Sequence, residues 1–350
     1  MLKWYETVKT ERSSNYISSR IRLARNWQDY RFSHRLSAAE ATELIGSLKD
    51  GLSGIGETVH ETFTANALSE FSEISRAAMR ERRLFNSGIA SKKAPVGLIV
   101  SESEDVSIVL NGDDHIRMQF ISPNMHLNAL WDRANRVDDF VNERFPYAFD
   151  DKYGYLTTYP TNVGTGMRAN IVLHLPALSQ GKQFQNLLDS ITRFGVTIRG
   201  VYGEGQENCG ALYDVSNAKT LGLSEKGIID LVTKAASELN SQENLVRRRV
   251  MKAHPLERAD EAWRAYGILK NARRLSLKEA LRCLSRFMSG VADGVIRVDE
   301  PDRIYSLYLG VQPSNLLLSS EGPADRNALD KLRADYIRGA LPHPTEENNG

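Results

Sequence analysis

Five arginines are placed where their guanidinium groups could converge. Around residues 16–25, Ile17, Ile21 and Leu23 alternate with Ser18, Arg20 and Arg22, so Arg20 and Arg22 project to one side of a strand. Arg117, Arg168 and Arg199 each lie on or beside the polar parity of a further strand-like segment. Pairing of these strands would gather all five on one open sheet face. Such a cluster is costly unless an anion neutralises it, and guanidinium forks match phosphate oxygens in bidentate geometry. A polyphosphate is the natural guest. The chain holds no GxxxxGK[ST] loop, so the arginines would replace that solution. Solvated positions, or salt-bridge partners for the 44 acidic residues, explain the same spacing.

Two glycine-containing runs lie close to these arginines. Pro160-Thr161-Asn162-Val163-Gly164-Thr165-Gly166-Met167-Arg168 leads into a strand; its glycines would let backbone N–H groups approach a phosphate, or would serve a tight turn. The loop Gly203-Glu204-Gly205-Gln206-Glu207-Asn208-Cys209-Gly210 joins two strands. Glu204 and Glu207 could grip a cationic group there, or the loop is a solvated hairpin. His115 reads as a surface or sheet-edge histidine rather than a proton shuttle. Cys209 reads as a small idle thiol. Arg247-Arg248-Arg249 reads as a solvated helix face rather than a nucleic-acid patch.

These groups need a scaffold, and 350 residues suffice for one large and one smaller domain. The hydrophobic fraction of 41% and the charged fraction of 25% are those of a globular chain. A net charge of +1 gives no global field toward nucleic acid or an acidic membrane. Cys209 and Cys283 lack CxxC spacing, so neither a disulfide framework nor a zinc site is expected, and a cytoplasmic location fits. Residues 1–15 are polar, without an apolar signal segment, and read as a short lead-in; no apolar run approaches the length of a membrane span.

Alternation also marks Val106/Ile108/Leu110, Ile116/Met118/Phe120 and Ile171/Leu173/Leu175, with the hairpin signal Asn111-Gly112 between the first two. The fold class is therefore α+β: an antiparallel sheet whose apolar face is covered by helices over 37–51, 126–144, 180–194 and 223–240. Strand signals stop near residue 241, and the charged segment 241–262, which contains Pro255, suggests a division into 1–242 and 243–350. The C-terminal part reads as helices. Ser276 and Glu279 form a capping box, Leu277, Leu281, Leu284, Met288 and Val291 a core stripe, and Gly294 a helix end. A second helix pattern runs from about Pro323 to Arg338, and 341–350 reads as a mobile tail.

Four separated runs carry a resemblance: Ser18-Ser19-Arg20-Ile21-Arg22-Leu23-Ala24-Arg25, Asp114-His115-Ile116-Arg117, Thr161 to Arg168, and Tyr213-Asp214-Val215-Ser216-Asn217. In this order they resemble the ATP:guanidino phosphotransferases, the creatine and arginine kinase family. Leu175-Pro176-Ala177-Leu178, Arg199 to Gly205 and Tyr266-Gly267-Ile268-Leu269 are most similar to the bacterial protein-arginine kinases of the McsB type. The resemblance covers roughly residues 15–340. It implies that ATP, with Mg²⁺, is held by Arg20, Arg22, Arg117, Arg168 and Arg199, within the segments Ser18-Ser19-Arg20-Ile21-Arg22, Arg168-Ala169-Asn170-Ile171-Val172 and Arg199-Gly200-Val201-Tyr202-Gly203-Glu204. Asp113 would be the catalytic base, with Glu204 and Glu207 orienting a guanidinium. No protein cage for a metal is expected. Implied partners are proteins with exposed arginine, an activator protein, a repressor, the ClpC–ClpP protease and a second copy of the chain.

The chain departs from the family pattern in places. Asn-Glu-Glu-Asp-His reads Asn111-Gly112-Asp113-Asp114-His115, and the Cys before the Pro-x-Asn run is Tyr159. A His expected near Arg82-Arg83-Leu84 is missing, and Arg-Asp-x-x-Arg-Ala reads Leu329-Asp330-Lys331-Leu332-Arg333-Ala334, with Arg326 a displaced substitute. Asp is one methylene shorter than Glu, and ~1 Å of misplacement can cost about a hundredfold in rate. The expected function is a protein-arginine kinase with adapted phosphotransfer; the alternatives are a nucleotide-binding pseudokinase scaffold and a kinase for free small guanidines.

Overall fold

In the computed structural model, residues 1–203, 207–318, 320 and 325–345 are described. The strands are β1 (Tyr16–Arg25), β2 (Phe63–Ala67), β3 (Gly97–Ser101), β4 (Val106–Leu110), β5 (Ile116–Pro123), β6 (Phe149–Asp150), β7 (Gly154–Tyr155), β8 (Met167–His174), β9 (Val196–Gly200) and β10 (Leu212–Asn217). The α-helices are α1 (Ala38–Gly51), α2 (Ile55–Val59), α3 (Glu73–Glu81), α4 (Ser87–Ala90), α5 (Leu127–Arg144), α6 (Phe184–Thr192), α7 (Glu225–Ala253), α8 (Pro255–Asn271), α9 (Leu277–Ala292), α10 (Ile304–Gly310), α11 (Pro313–Leu317) and α12 (Arg326–Ala340).

Eight strands form one antiparallel sheet in the order β2-β3-β4-β5-β1-β8-β10-β9, and β6 and β7 pair separately. The expected β4–β5 hairpin is present, but its connection is the five residues 111–115 rather than a two-residue turn. Asn111 takes the left-handed conformation (φ 55°) that asparagine tolerates.

Alternation divides the sheet into two faces. Ile21, Leu23, Met118, Phe120, Met167, Ala169, Ile171 and Val215 are fully buried in one core cluster with residues of α1, α5 and α7. Helix α1 opens on a capping box between Ser37 and Glu40. Helix α5 buries Leu127, Leu130, Ala134, Val137 and Val141, the stripe that a 3.6-residue period presents to a sheet. Each fully buried Leu or Ile contributes ~1.5–3 kcal/mol, so this face fixes the register of every strand.

The second face carries the arginines and is covered only in part. Over β3 and β4, Leu98 and Val109 pack with Leu84, Phe85 and Ile89 from the α3–α4 region. Elsewhere Ile121, Val172 and Leu212 pack with Leu284, Phe287, Tyr305 and Tyr308 from α9 and α10. Trp4 and Val8 join this second cluster, so residues 1–15 are more than a lead-in: they help to dock the C-terminal helices.

Ser276 caps α9 by accepting from the Glu279 N–H, and Leu281, Leu284 and Met288 are buried as their spacing predicts. Residue 242 lies inside α7, which runs unbroken to Ala253; Pro255 then opens α8. Arg247 departs from the solvated reading. It is buried, donating to Asp293 Oδ1 at 3.0 Å and Asn15 Oδ1 at 2.7 Å, whereas Arg248 and Arg249 are exposed. In α12, Arg333 is buried and donates to the carbonyls of Val311 and Leu275 and to Asp330. No helix among the described residues is long and apolar enough to cross a membrane.

Candidate active site

The strand register puts all five arginines on the second face. Arg22 stands opposite both Gln119 and Arg168, Arg20 opposite Asn170, and Arg117 opposite Ala24. Arg199 stands opposite Asp214, which in turn stands opposite Val172. Directly paired residues share a face, so the series runs from Arg117 on β5 to Arg199 on β9. Arg20, Arg22 and Arg117 line a cleft of about 280 Å³ with Arg80, Arg83, Asn86 and Gln119.

Few counter-charges balance this cleft. Asp214 pairs with Arg20 at 3.0 Å, and Asp113 pairs with Arg117 at 3.2 Å. Among the described residues, Arg22 has only the amide oxygen of Asn170, at 3.3 Å. The Nε atoms of Arg20 and Arg22 are buried with no hydrogen-bond partner among the described residues. An unmet buried donor costs ~1–3 kcal/mol. Burial pulls Arg20 down to about 10; Asp214 opposes that pull, and Arg83 and Arg117 reinforce it. Burial, then Arg20 and Arg117, pull Arg22 well below the usual arginine range. A guanidinium keeps its proton in proteins, so these depressions express the positive field that an anion entering the cleft would meet.

The sequence reading did not single out Arg83 or Asp214 for the site. Asp214 had a visible signal, since it alternates with Tyr213 and Val215; its carboxylate bridges Arg20 and the Asn170 amide, the latter at 2.7 Å. Arg83 had none. It follows the C-terminus of α3 at φ 71°, where the Leu84 N–H reaches back to the Met79 carbonyl. Glycine usually takes this position; an arginine there costs ~1–2 kcal/mol of backbone strain.

Within the consecutive runs expected to hold nucleotide, alternate residues face away. Ile21, Ala169 and Ile171 are in the core. The Ser19 hydroxyl accepts from the His126 N–H at the start of α5. Ser18 and Val172 are buried on the arginine face, Val172 within the C-terminal cluster. Val201 and Tyr202 pack on the C-terminal helices, with the Tyr202 hydroxyl toward the Tyr308 carbonyl. Arg168 donates to the Asn217 carbonyl at 3.2 Å, and Arg199 is exposed. A side-chain Cβ at Gly200 would overlap the Gly203 carbonyl, so the chain reverses sharply after β9.

Asp113 is half-buried at the β4–β5 turn, where Asn86 Nδ2 approaches it at 3.4 Å and Arg117 at 3.2 Å. The Lys92 ammonium braces this turn by donating to the carbonyls of Asn111 and Gly112 at 2.7 and 2.6 Å. Asp114 is buried, accepting from Asn26 and the Thr158 N–H. His115 is buried rather than at a surface or edge: its Nδ1 accepts from the Trp27 N–H, and its Nε2 lies 2.8 Å from the Arg31 carbonyl. Glu204 lies outside the described residues. Glu207 is not brought to the arginines; its side chain is 74% exposed and pairs with Lys278 on α9 at 3.5 Å. Tyr159 is exposed at the start of a single turn over Pro160–Asn162. Gly166, at φ 61°, serves packing: a Cβ there would lie 2.5 Å from Arg25 Nη1 and 2.7 Å from the Ala24 carbonyl.

Residues 51–246 match the model of the ATP:guanido phosphotransferase C-terminal catalytic domain. The chain belongs to the ATP:guanido phosphotransferase family. Residues 255–350 match the protein-arginine kinase McsB C-terminal domain. The chain is 36% identical to the protein-arginine kinase of Bacillus subtilis over 339 residues, 95% of this chain and 92% of that one. It is 37% identical to that of Desulforamulus reducens over 343 residues, 97% and 95% of the two chains. Among solved structures it resembles a lombricine kinase with a TM-score of 0.59, at 20% identity over 71% of each chain. It also resembles a duplicated taurocyamine kinase from Schistosoma mansoni with a TM-score of 0.53, at 20% identity, over 95% of this chain and 44% of that one. The phosphagen-kinase architecture expected from the sequence is therefore the one observed.

Proposed function

We propose that the protein transfers the γ-phosphoryl group of ATP to the guanidinium of arginine side chains in proteins. The observation that carries this reading is the pair of buried, unpartnered Nε donors of Arg20 and Arg22, with Asp113 at the edge of the same cleft. Arg20, Arg22, Arg117, Arg168 and Arg199, with Asn170, would hold the phosphates as charge-assisted forks. Among the described residues, no three His, Cys, Asp or Glu side chains form a group that could hold a metal ion. Mg²⁺ would enter as part of the Mg-ATP substrate, held through the phosphates.

An arginine guanidinium is protonated and a poor nucleophile. Asp113 would hold one N–H and take its proton as that nitrogen bonds to the γ-phosphorus. The bond from phosphorus to the β–γ bridging oxygen breaks, and ADP leaves with the electron pair. The arginines stabilise the charge spread over the transferring group. Family resemblance assigns Glu204 the second grip on the guanidinium. The partners this requires are proteins with exposed arginine; an activator, a repressor and ClpC–ClpP are implied by resemblance. A cytoplasmic setting fits two cysteines that lack CxxC spacing.

The test is incubation with Mg-ATP and an arginine-rich protein, followed by mass spectrometry for acid-labile phosphate on arginine. Asp113→Ala is expected to abolish product while ATP affinity stays within about tenfold. ATP binding by the parent protein with no phosphoarginine, even with an activator added, would refute the transfer step.

A further inference from the structure

A second cleft, lined by a different set of cations, lies beside the arginine site. It has a volume of about 1030 Å³ and is bounded by α1, α3, α4 and the segment 91–96. Its cationic lining is Arg76, Arg80, Lys92 and Lys93, against the single carboxylate of Glu73. Arg76, Arg80 and Lys93 form no ion pair among the described residues, and the Arg76 Nε is buried without a partner.

This cleft lies apart from the run of arginines proposed to hold the phosphates. The phosphate-binding arginines run from Arg117 on β5 outward to Arg199 on β9, whereas this cleft lies at the opposite, β2–β3 side of the sheet. Asp113 stands between the two, at the β4–β5 turn. Arg80 and Ser87 line both clefts, so the two adjoin. Lys92 connects them as well: it braces the turn that carries Asp113, and Asp113 supports its charge against burial. A chain lying in the larger cleft can therefore deliver an arginine over Ser87 to Asp113.

We propose that this cleft binds acidic side chains that neighbour the target arginine, so that the enzyme selects arginines in acidic sequence. The inference rests on the kinase reading and names its substrate class. A target arginine is itself cationic and must enter a field already dense in positive charge. Flanking carboxylates remove that repulsion and give Arg76 and Lys93 the counter-charges they lack. Neutral or basic flanks leave those groups unpaired.

Two peptides with one arginine each test the proposal, one with Asp and Glu flanks and one with Ser and Gln flanks. The parent enzyme should show a KM for the acidic peptide about tenfold lower or more, with kcat within about threefold. Arg76→Gln/Lys93→Gln should erase the difference and leave the KM for ATP unchanged, and Lys93→Gln alone, at an exposed residue, should narrow it. Added salt should narrow it too. Equal KM values for both peptides in the parent, or an undiminished preference in the double variant, would overturn the proposal. If neither peptide is phosphorylated, the kinase reading fails, and fluorescence anisotropy of the labelled peptides still decides the cleft. Tighter binding of the acidic peptide by the parent and not by the double variant upholds it; equal binding overturns it.

Discussion

Replacing Arg22 with methionine should weaken nucleotide binding and stabilise the empty protein at once. Arg22 lies at the centre of the cleft, opposite Gln119 on one side and Arg168 on the other. Its Nε is buried and unpartnered, and Arg20 and Arg117 repel its charge. Methionine keeps most of the apolar stem and removes both the unmet donor, ~1–3 kcal/mol, and the repulsion. Loss of the 3.3 Å contact to Asn170 offsets part of that gain. A net 1 kcal/mol corresponds to a melting temperature higher by about 2–4 °C. At the proposed phosphate site, the same change would remove a bidentate fork of two charge-assisted hydrogen bonds of ~1.5–3 kcal/mol each, so ATP affinity should fall about a hundredfold or more. Arg25→Met on the same strand is the control. Arg25 faces the other side of the sheet, is buried, and pairs with Asp138 at 2.6 Å. Removing it strands a buried carboxylate at ~3–5 kcal/mol, so melting should drop by about 10 °C. Calorimetric titration with Mg-ATP and thermal scans of both variants decide the matter. An Arg22→Met protein that melts lower than the parent and binds ATP within threefold would refute the reasoning.

Four further changes have defined outcomes. Glu207→Gln should leave turnover within about threefold, because an exposed pair with Lys278 contributes little; a hundredfold loss would show that this carboxylate reaches the substrate. Gly166→Ala should destabilise the fold by ~1–3 kcal/mol in a denaturant titration, since φ 61° and the Arg25 and Ala24 contacts leave no room for a Cβ; an unchanged midpoint would contradict that packing. Buried His174, whose Nε2 lies 2.8 Å from the Ser285 hydroxyl, is pulled from 6.5 to about 3 by burial and by Arg247 and Arg258. Its contribution to stability is complete above pH 6.5 and is lost as pH falls toward 3, because the unfolded chain binds the proton more tightly. Glu243 is raised from 4.5 to about 7 by burial, so its contribution is complete below 4.5 and is lost as pH rises through 7. Relative to the parent, His174→Gln should gain stability as pH falls and Glu243→Gln as pH rises; parallel pH trends in melting temperature would count against both assignments.

The sequence by itself determined the elements and the face on which the chemistry lies. Period-two alternation put Arg20 and Arg22 on one side of β1 and Ile21 and Leu23 on the other, and burial of the apolar set then left only one register. Caps at Ser37 and Ser276 and the stripes in α5 and α9 were equally local signals, each decided by residues within a few turns. What tertiary structure decided depends on residues far apart in the chain. It took Val201 and Tyr202 to the C-terminal helices, because apolar surface on α9 and α10 had to be buried somewhere and the end of β9 was adjacent. It buried His115 and Arg247, whose carbonyl, amide and carboxylate partners come from other elements. It brought Arg83 into the cleft through a left-handed turn that no periodicity marks, and turned Glu207 toward Lys278. Local pattern fixes which way a side chain points. Which charge it meets there is set by long-range packing, and an anion site made of repelling arginines depends on that second step.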